Sequence, residues 1–267
     1  MTDRQTLLAE FNALLQPERF TDYGPNGLQV EGKAQIRKIV SGVTASRAFI
    51  EAAIEAKADA IFVHHGLFWR GQTGVVTGWM KERLKLLLAH DINLFAYHLP
   101  LDAHPELGNN AQLGQKLGFI TPKAFERGEI SHFGDQSLGW MANIDQIAPK
   151  MLQNTENLKN HLENTLKRHV AGVFVVKDAI KNIAIKKIAW CTGGAQSYFE
   201  AAIAAGADAF ITGEMSEPQA HLARECGVAY YACGHHATER YGAPAVAAHV
   251  AEMCGIAHEF IEIDNPA

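Results

Sequence analysis

Apolar and polar positions change rhythm several times along this chain, and each rhythm predicts an element. The opening MTDRQTLLAEFNALL spaces its apolar residues as an amphipathic helix does. An apolar run from Lys38 to Val43 reads as a strand. An Ala-rich helix follows, with Phe49, Ile50, Ala53 and Ile54 on one face. An Ala-Asp-Ala turn at 58–60 leads into the short apolar strand Ile61-Phe62-Val63. A helix over Gly78–His90, a strand over Asn93–Tyr97 and a helix over Asn109–Leu117 complete the series. The same order then returns. The strand Lys187–Cys191 precedes a helix from Tyr198 and a strand from Phe210. A helix over Ser216–Glu225, a strand over Val228–Ala232 and a helix over Thr238–Met253 follow. Between the two series, Gly128–Gly139 is rich in Gly and polar residues and reads as loop. Asp145–Leu166 reads as helix and His169–Val176 as strand.

The two series match in residues as well as in rhythm. The stretch FIEAAIEAKADA from Phe49 resembles YFEAAIAAGADA from Tyr198, at an offset of 149 residues (Glu51 to Glu200). Each unit is strand–helix–strand, which implies parallel strands joined by a right-handed crossover. The expected fold class is α/β: two similar strand–helix–strand lobes from an internal duplication, with mostly parallel sheets. The expected lobes are 1–125, with C-terminal residues completing it, and 181–267. Residues 126–180 are expected to connect them, with no large inserted domain.

Composition narrows the setting. Of 267 residues, 48% are hydrophobic and 20% charged, the balance of a globular protein with a core. The net charge of −5 argues against a nucleic-acid surface, which usually needs a basic face. No run approaches the roughly 18 apolar residues that span a membrane, and the N-terminus lacks the pattern of a signal peptide. The four cysteines form no CxxC pair. Free thiols and a cytoplasmic location are therefore expected. Cys233 stands near His235 and has the chemistry of a ligand, but a small buried residue is the favoured reading.

The chemistry gathers where strands run out, the place where open α/β sheets bind ligands. Val63-His64-His65-Gly66 puts two imidazoles in succession at a strand end. Neighbours on a strand face opposite ways, so two adjacent ligands require the strand to end or bend, and Gly66 permits that. His98 is followed four residues later by Asp102, and Pro100 is expected to keep that stretch extended. His235 is followed four residues later by Glu239, with the helix opening at Ala237 or Thr238. His64, His65, Asp102, His235 and Glu239 read as metal ligands, because imidazole with carboxylate suits zinc, iron, nickel or manganese. More than four such groups would hold two divalent ions between the lobes, and a metal pair is suited to hydrolysis. Glu214 occupies the repeat position of His65, and general base, ligand and anchor for a histidine stay open as its roles. His98 is open between proton shuttle, ligand and support. Glu214 and His98 are the candidate catalytic residues.

These motifs resemble a known family. They are Asp22-Tyr23-Gly24-Pro25-Asn26-Gly27-Leu28-Gln29-Val30-Glu31-Gly32, Val63-His64-His65-Gly66-Leu67-Phe68-Trp69, Leu101-Asp102, Cys191-Thr192-Gly193-Gly194, Asp208 to Glu214, and Gly234-His235-His236-Ala237-Thr238-Glu239. The chain is similar over nearly its whole length to the GTP cyclohydrolase 1 type 2 homologs, also called NGG-interacting-factor-three-like proteins. The resemblance implies two α/β lobes with a two-metal site between them. It implies His64, His65, Asp102, His235 and Glu239 as ligands. It implies a homohexameric ring of dimers, and a small-molecule substrate of the nucleotide kind.

The expected activity is a dinuclear-metal-dependent hydrolase, of the type that opens the guanine imidazole ring of GTP and releases formate. Two alternatives stand beside it. One is a two-metal phosphoesterase or amidohydrolase on another substrate. The other is a non-catalytic metal-binding or interaction protein.

Overall fold

A computed structural model describes residues 1–121, 128–144, 152, 154–174 and 185–267. The fold is mixed α/β. The chain divides into two compact units, Met1–Gly108 with Arg240–Asp264, and Asn109–Glu239 with Asn265–Ala267.

The first unit is built on a five-stranded sheet. Its spatial order is Ala257–Phe260, Lys38–Thr44, Ala60–His65, Asn93–Ala96 and Gly27–Val30. The first four strands run parallel, and Gly27–Val30 closes the edge antiparallel to Asn93–Ala96. Strand side chains alternate between faces, and here both faces are covered. Ile39, Phe62, Phe95 and Tyr97 pack with Leu7, Phe11 and Leu15 of the helix Arg4–Leu15 and with Val246 and Val250 of the helix Gly242–Cys254. Val40, Ile61, Val63, Leu94 and Ala96 pack on the other face with Phe49, Ile50, Met80 and Leu87. Those four come from the helices Arg47–Glu55 and Gly78–Ala89. This two-sided burial explains why the strands read as continuous apolar runs.

The second unit carries a six-stranded sheet ordered Ile130–Phe133, Gly139–Asn143, Lys187–Trp190, Ala209–Thr212, Ala229–Ala232 and Ala171–Val173. Lys187–Trp190, Ala209–Thr212 and Ala229–Ala232 are mutually parallel. The other three pairings among the described residues are antiparallel. The expectation of mostly parallel strands therefore holds for the first sheet and fails for the second. Its core is aromatic: Trp140, Trp190, Phe199, Phe210, Tyr230 and Tyr231 are fully buried.

The two units repeat one local device. Asp59 Oδ2 accepts from the Arg37 and Lys38 amides, at 2.9 and 3.3 Å. Asp208 Oδ2 accepts from the Lys186 and Lys187 amides, at 2.9 Å each. In each unit the Asp of the Ala-Asp-Ala turn thus ties the start of one parallel strand to the strand before it.

Three local expectations need correction. Gly128–Gly139 is not all loop, because Ile130–Phe133 pairs antiparallel with Gly139–Asn143 around a tight 134–138 connection. The polar edge strand gave no apolar signal to read. The expected helix Thr238–Met253 is two helices, His235–Glu239 and Gly242–Cys254. Leu99–Ala103 is helical, not extended. Pro100 lies in its first turn, where a missing N–H costs no hydrogen bond. The expected helix Asp145–Leu166 is seen as Thr155–Leu166, and the expected strand His169–Val176 as Ala171–Val173. Residues 145–151, 153, 175 and 176 lie outside the described residues. No helix among the described residues is long and apolar enough to cross a membrane.

Candidate metal centre

In the first unit, strand pairing delivers His64 and His65 to the end of Ala60–His65, beside the end of Asn93–Ala96 where His98 follows. One ring nitrogen from each of His64, His65 and His98 can be chosen so that all three lie within 4.8 Å of one another. His64 is fully buried, and His65 and His98 are partly exposed. Asp102 is buried, and its Oδ1 lies 3.5 Å from His64 Nε2.

The Nδ1 of each of these imidazoles has a protein partner. His64 Nδ1 lies 3.1 Å from the Tyr97 carbonyl oxygen. A carbonyl only accepts, so this nitrogen carries the proton and Nε2 presents a lone pair. His65 Nδ1 lies 3.1 Å from Thr44 Oγ1. His98 Nδ1 lies 2.6 Å from Asp22 Oδ1. Metal-ligating histidines commonly hold the far ring nitrogen in this way, which fixes tautomer and ring direction. The donor set thus fits a divalent ion.

Asp22 is itself tightly held. Its Oδ2 accepts from Asn26 Nδ2 at 2.9 Å and from the Leu99 amide at 2.9 Å. Asn26 Oδ1 accepts from the His98 amide at 2.7 Å. Burial alone would raise the Asp22 carboxyl, but hydrogen bonds from His98 and Asn26 and the Leu99 amide outweigh it and lower the pKa. Gln29 supports the neighbouring turn, where its Oε1 accepts from the Leu67 amide at 2.8 Å. A Cβ on Gly66 would collide with the Gln29 amide. Gly66 therefore serves close packing rather than an unusual φ. Asp22, Asn26, Gln29 and Thr44 carry no signal as ligands. Asp22, Asn26 and Gln29 stand in a legible motif and Thr44 in none, and the task of all four depends on partners distant in sequence.

In the second unit, Glu214, His235 and Glu239 come together. His235 Nδ1 lies 2.6 Å from Glu214 Oε1, and His235 Nε2 lies 3.1 Å from Glu239 Oε2. Burial would hold this imidazole down, yet Glu239 and then Glu214 push it up to about 9. Glu214 meets the nitrogen of His235 that faces away from Glu239. The helix His235–Glu239 places its two end residues one turn apart, so both project from one face. The turn that follows the strand Lys187–Trp190 packs closely against it. Gly193 has φ +70°, and a Cβ there would meet Glu239 Oε1. Gly193 N donates to Thr238 Oγ1 at 3.0 Å. Cys233 is fully buried and burial pushes its thiol up, which suits the small buried residue rather than a thiolate. His236 is also buried.

Fold and site together define a class: a mixed α/β protein whose histidines and carboxylates are grouped so that they could hold metal ions. The Duf34/NIF3 (NGG1p interacting factor 3) family model matches residues 2–266, and the chain belongs to that family. A Neisseria meningitidis serogroup A protein named GTP cyclohydrolase 1 type 2 homolog is 48% identical over 267 residues, covering 100% of both chains. A Pseudomonas aeruginosa protein of the same name is 48% identical over 262 residues, covering 98% of each. A solved structure described as protein ybgI, of unknown function, superimposes with a TM-score of 0.88 at 42% identity, covering 100% of both chains.

Proposed function

We propose that this protein is a hydrolase dependent on two divalent metal ions, with His64, His65, Asp102, His235 and Glu239 as ligands. The supporting observation is the treatment of the imidazoles. His64, His65 and His98 are held at Nδ1, with a ring nitrogen each within 4.8 Å of the others. The matching Asp59 and Asp208 devices support an origin by internal duplication. Bound metal would supply Lewis acidity and make water a nucleophile near neutral pH.

The chain's own residues then do four things. Asp22 keeps His98 in the Nδ1–H tautomer, so Nε2 is free to take or give a proton. Glu214 holds Nδ1 of His235, which keeps Nε2 turned toward Glu239. Asp102 and Glu239 bring negative charge that would hold the cations. Trp69, edge-on to His98 at 5.1 Å, braces one side of that imidazole.

The relatives named GTP cyclohydrolase 1 type 2 homolog support opening of the guanine imidazole ring with formate release as the reaction to try first. Assembly as a hexameric ring of dimers belongs to the same proposal. The test is elemental analysis of the purified protein together with a formate assay on GTP. About two metals per chain with formate released supports the whole reading. Two metals with phosphate or amine released from another substrate replaces the reaction and keeps the centre. Protein that takes up no metal overturns it.

A further inference from the structure

Tyr23 follows Asp22, the anchor of His98, yet its own side chain is 59% exposed. Its ring stands edge-on to His98, centroids 6.1 Å apart at 67°. Trp69 stands edge-on to the same imidazole at 5.1 Å and 89°, and 5.9 Å from His65. Two aromatic side chains therefore flank the histidine cluster of the first unit, one half-buried and one open to solvent.

Arg70 completes the arrangement. Its guanidinium carbon lies 5.8 Å from the Tyr23 ring centroid. Its amide donates to the Tyr23 carbonyl at 2.6 Å, and Nη2 donates to the Asp22 carbonyl at 2.8 Å. These bonds fix the guanidinium without neutralising it. Among the described residues Arg70 has no carboxylate partner, although the chain carries a net charge of −5. An oriented guanidinium with spare donors suits a carboxylate or phosphate. An open ring beneath it offers a face to another flat group.

We propose that Tyr23, Trp69 and Arg70 form the recognition platform for a small planar ring bearing a phosphate or carboxylate, with Arg70 holding the anion and the two aromatic residues holding the ring beside His98. The proposal rests on reading the histidine cluster as a metal centre, since that is what would make bound substrate reactive there.

The experiment is calorimetric titration of the metal-loaded full chain with phenyl phosphate, benzoate, inorganic phosphate and phenol. Metal content is measured on each sample. The wild type is expected to bind an aromatic anion more tightly than inorganic phosphate or phenol, and the rank of phenyl phosphate against benzoate names the anion. Arg70→Gln is expected to weaken aromatic-anion binding roughly tenfold, the scale of one charge-assisted hydrogen bond. It should leave phenol binding unchanged, and Arg70→Lys should recover part of the loss. Tyr23→Ala should erase most of the preference for phenyl phosphate over inorganic phosphate, with metal content intact. Should Tyr23→Ala lose its thermal transition, Tyr23→Leu carries the same comparison. Equal affinities across wild type, Arg70→Gln and Tyr23→Ala overturn the platform, as does failure of both aromatic anions to bind at millimolar concentration. Wild-type protein without metal sinks the metal-centre reading instead, and the Arg70→Gln comparison still decides the platform.

Discussion

Asp22 Oδ1 and His98 Nδ1 are 2.6 Å apart although 76 residues separate them in sequence. The carboxylate is almost wholly enclosed, with its side chain 4% exposed, and it meets His98, Asn26 and the Leu99 amide at once. Removing it as Asp22→Ala leaves the imidazole without its orienting partner. A positioned proton-transfer group typically contributes about 100- to 10,000-fold to rate. The expected result is a loss of about 100-fold in metal-dependent turnover with metal content unchanged, measured by the formate assay beside elemental analysis. Unchanged turnover would show that His98 and its anchor take no part in the proton transfer.

His235 makes the metal-free protein sensitive to pH. Its folded pKa of about 9 lies above the ordinary 6.5, because Glu239 and Glu214 favour the imidazolium. A raised pKa stabilises the fold fully below pH 6.5, and that contribution is lost as pH rises through about 9. Metal-free protein should therefore lose thermal stability between pH 6.5 and 9.5, and Glu239→Gln should flatten that slope. Metal uptake near pH 7.5 should release a proton from this site, seen as a dependence of binding heat on buffer ionisation enthalpy.

Asp59 gives the opposite sign. Burial opposes its charge, but Lys33 at 2.7 Å and the Arg37 and Lys38 amides lower its pKa below the ordinary 3.8. Its contribution is present above pH 3.8 and is lost as pH falls through the lower folded value. Asp59→Asn keeps the shape and removes the charge. We expect a loss of about 1–2 kcal/mol at pH 7, the scale of hydrogen bonds to a charged group. The difference from wild type should shrink on acidification below pH 3.8. A constant difference at all pH values would count against the ionic account.

Phe11 is the hinge of the first unit's core. Its ring stacks on Phe62 at 4.6 Å and lies 5.5 Å from Phe95 and 5.9 Å from Tyr97. Phe11→Ala should cost about 3–5 kcal/mol, through lost burial and the cavity left behind. Urea denaturation checks this. A loss below about 1 kcal/mol would mean that the helix Arg4–Leu15 is not fastened through this ring.

Much of this protein was legible as pattern. The apolar runs at Lys38, Ile61 and Asn93 became neighbouring parallel strands because both sheet faces are covered. The doublet His64-His65 and the pairs His98/Asp102 and His235/Glu239 stood out by residue type and spacing. The hairpin from Ile130 to Asn143 was not legible, because its edge strand is polar. Pro100 misled for a definite reason: it sits in the first turn of a helix, where its missing N–H costs no hydrogen bond. Glu214 could be placed near a site but not given a role, since a carboxylate's task depends on which nitrogen it meets.

The amino-acid sequence alone determined the order of elements, the apolar faces of the strands, the family and the types of ligand available. These are local properties, set by side-chain periodicity over a few residues. Tertiary structure decided how the imidazoles are held. Gly27–Val30 lies antiparallel to Asn93–Ala96, with Gly27 opposite Ala96. That register sets Asn26 and Asp22 against His98. A hydrogen bond between such distant positions exists only after the sheet has formed, and nothing in the spacing of residues along the chain encodes it.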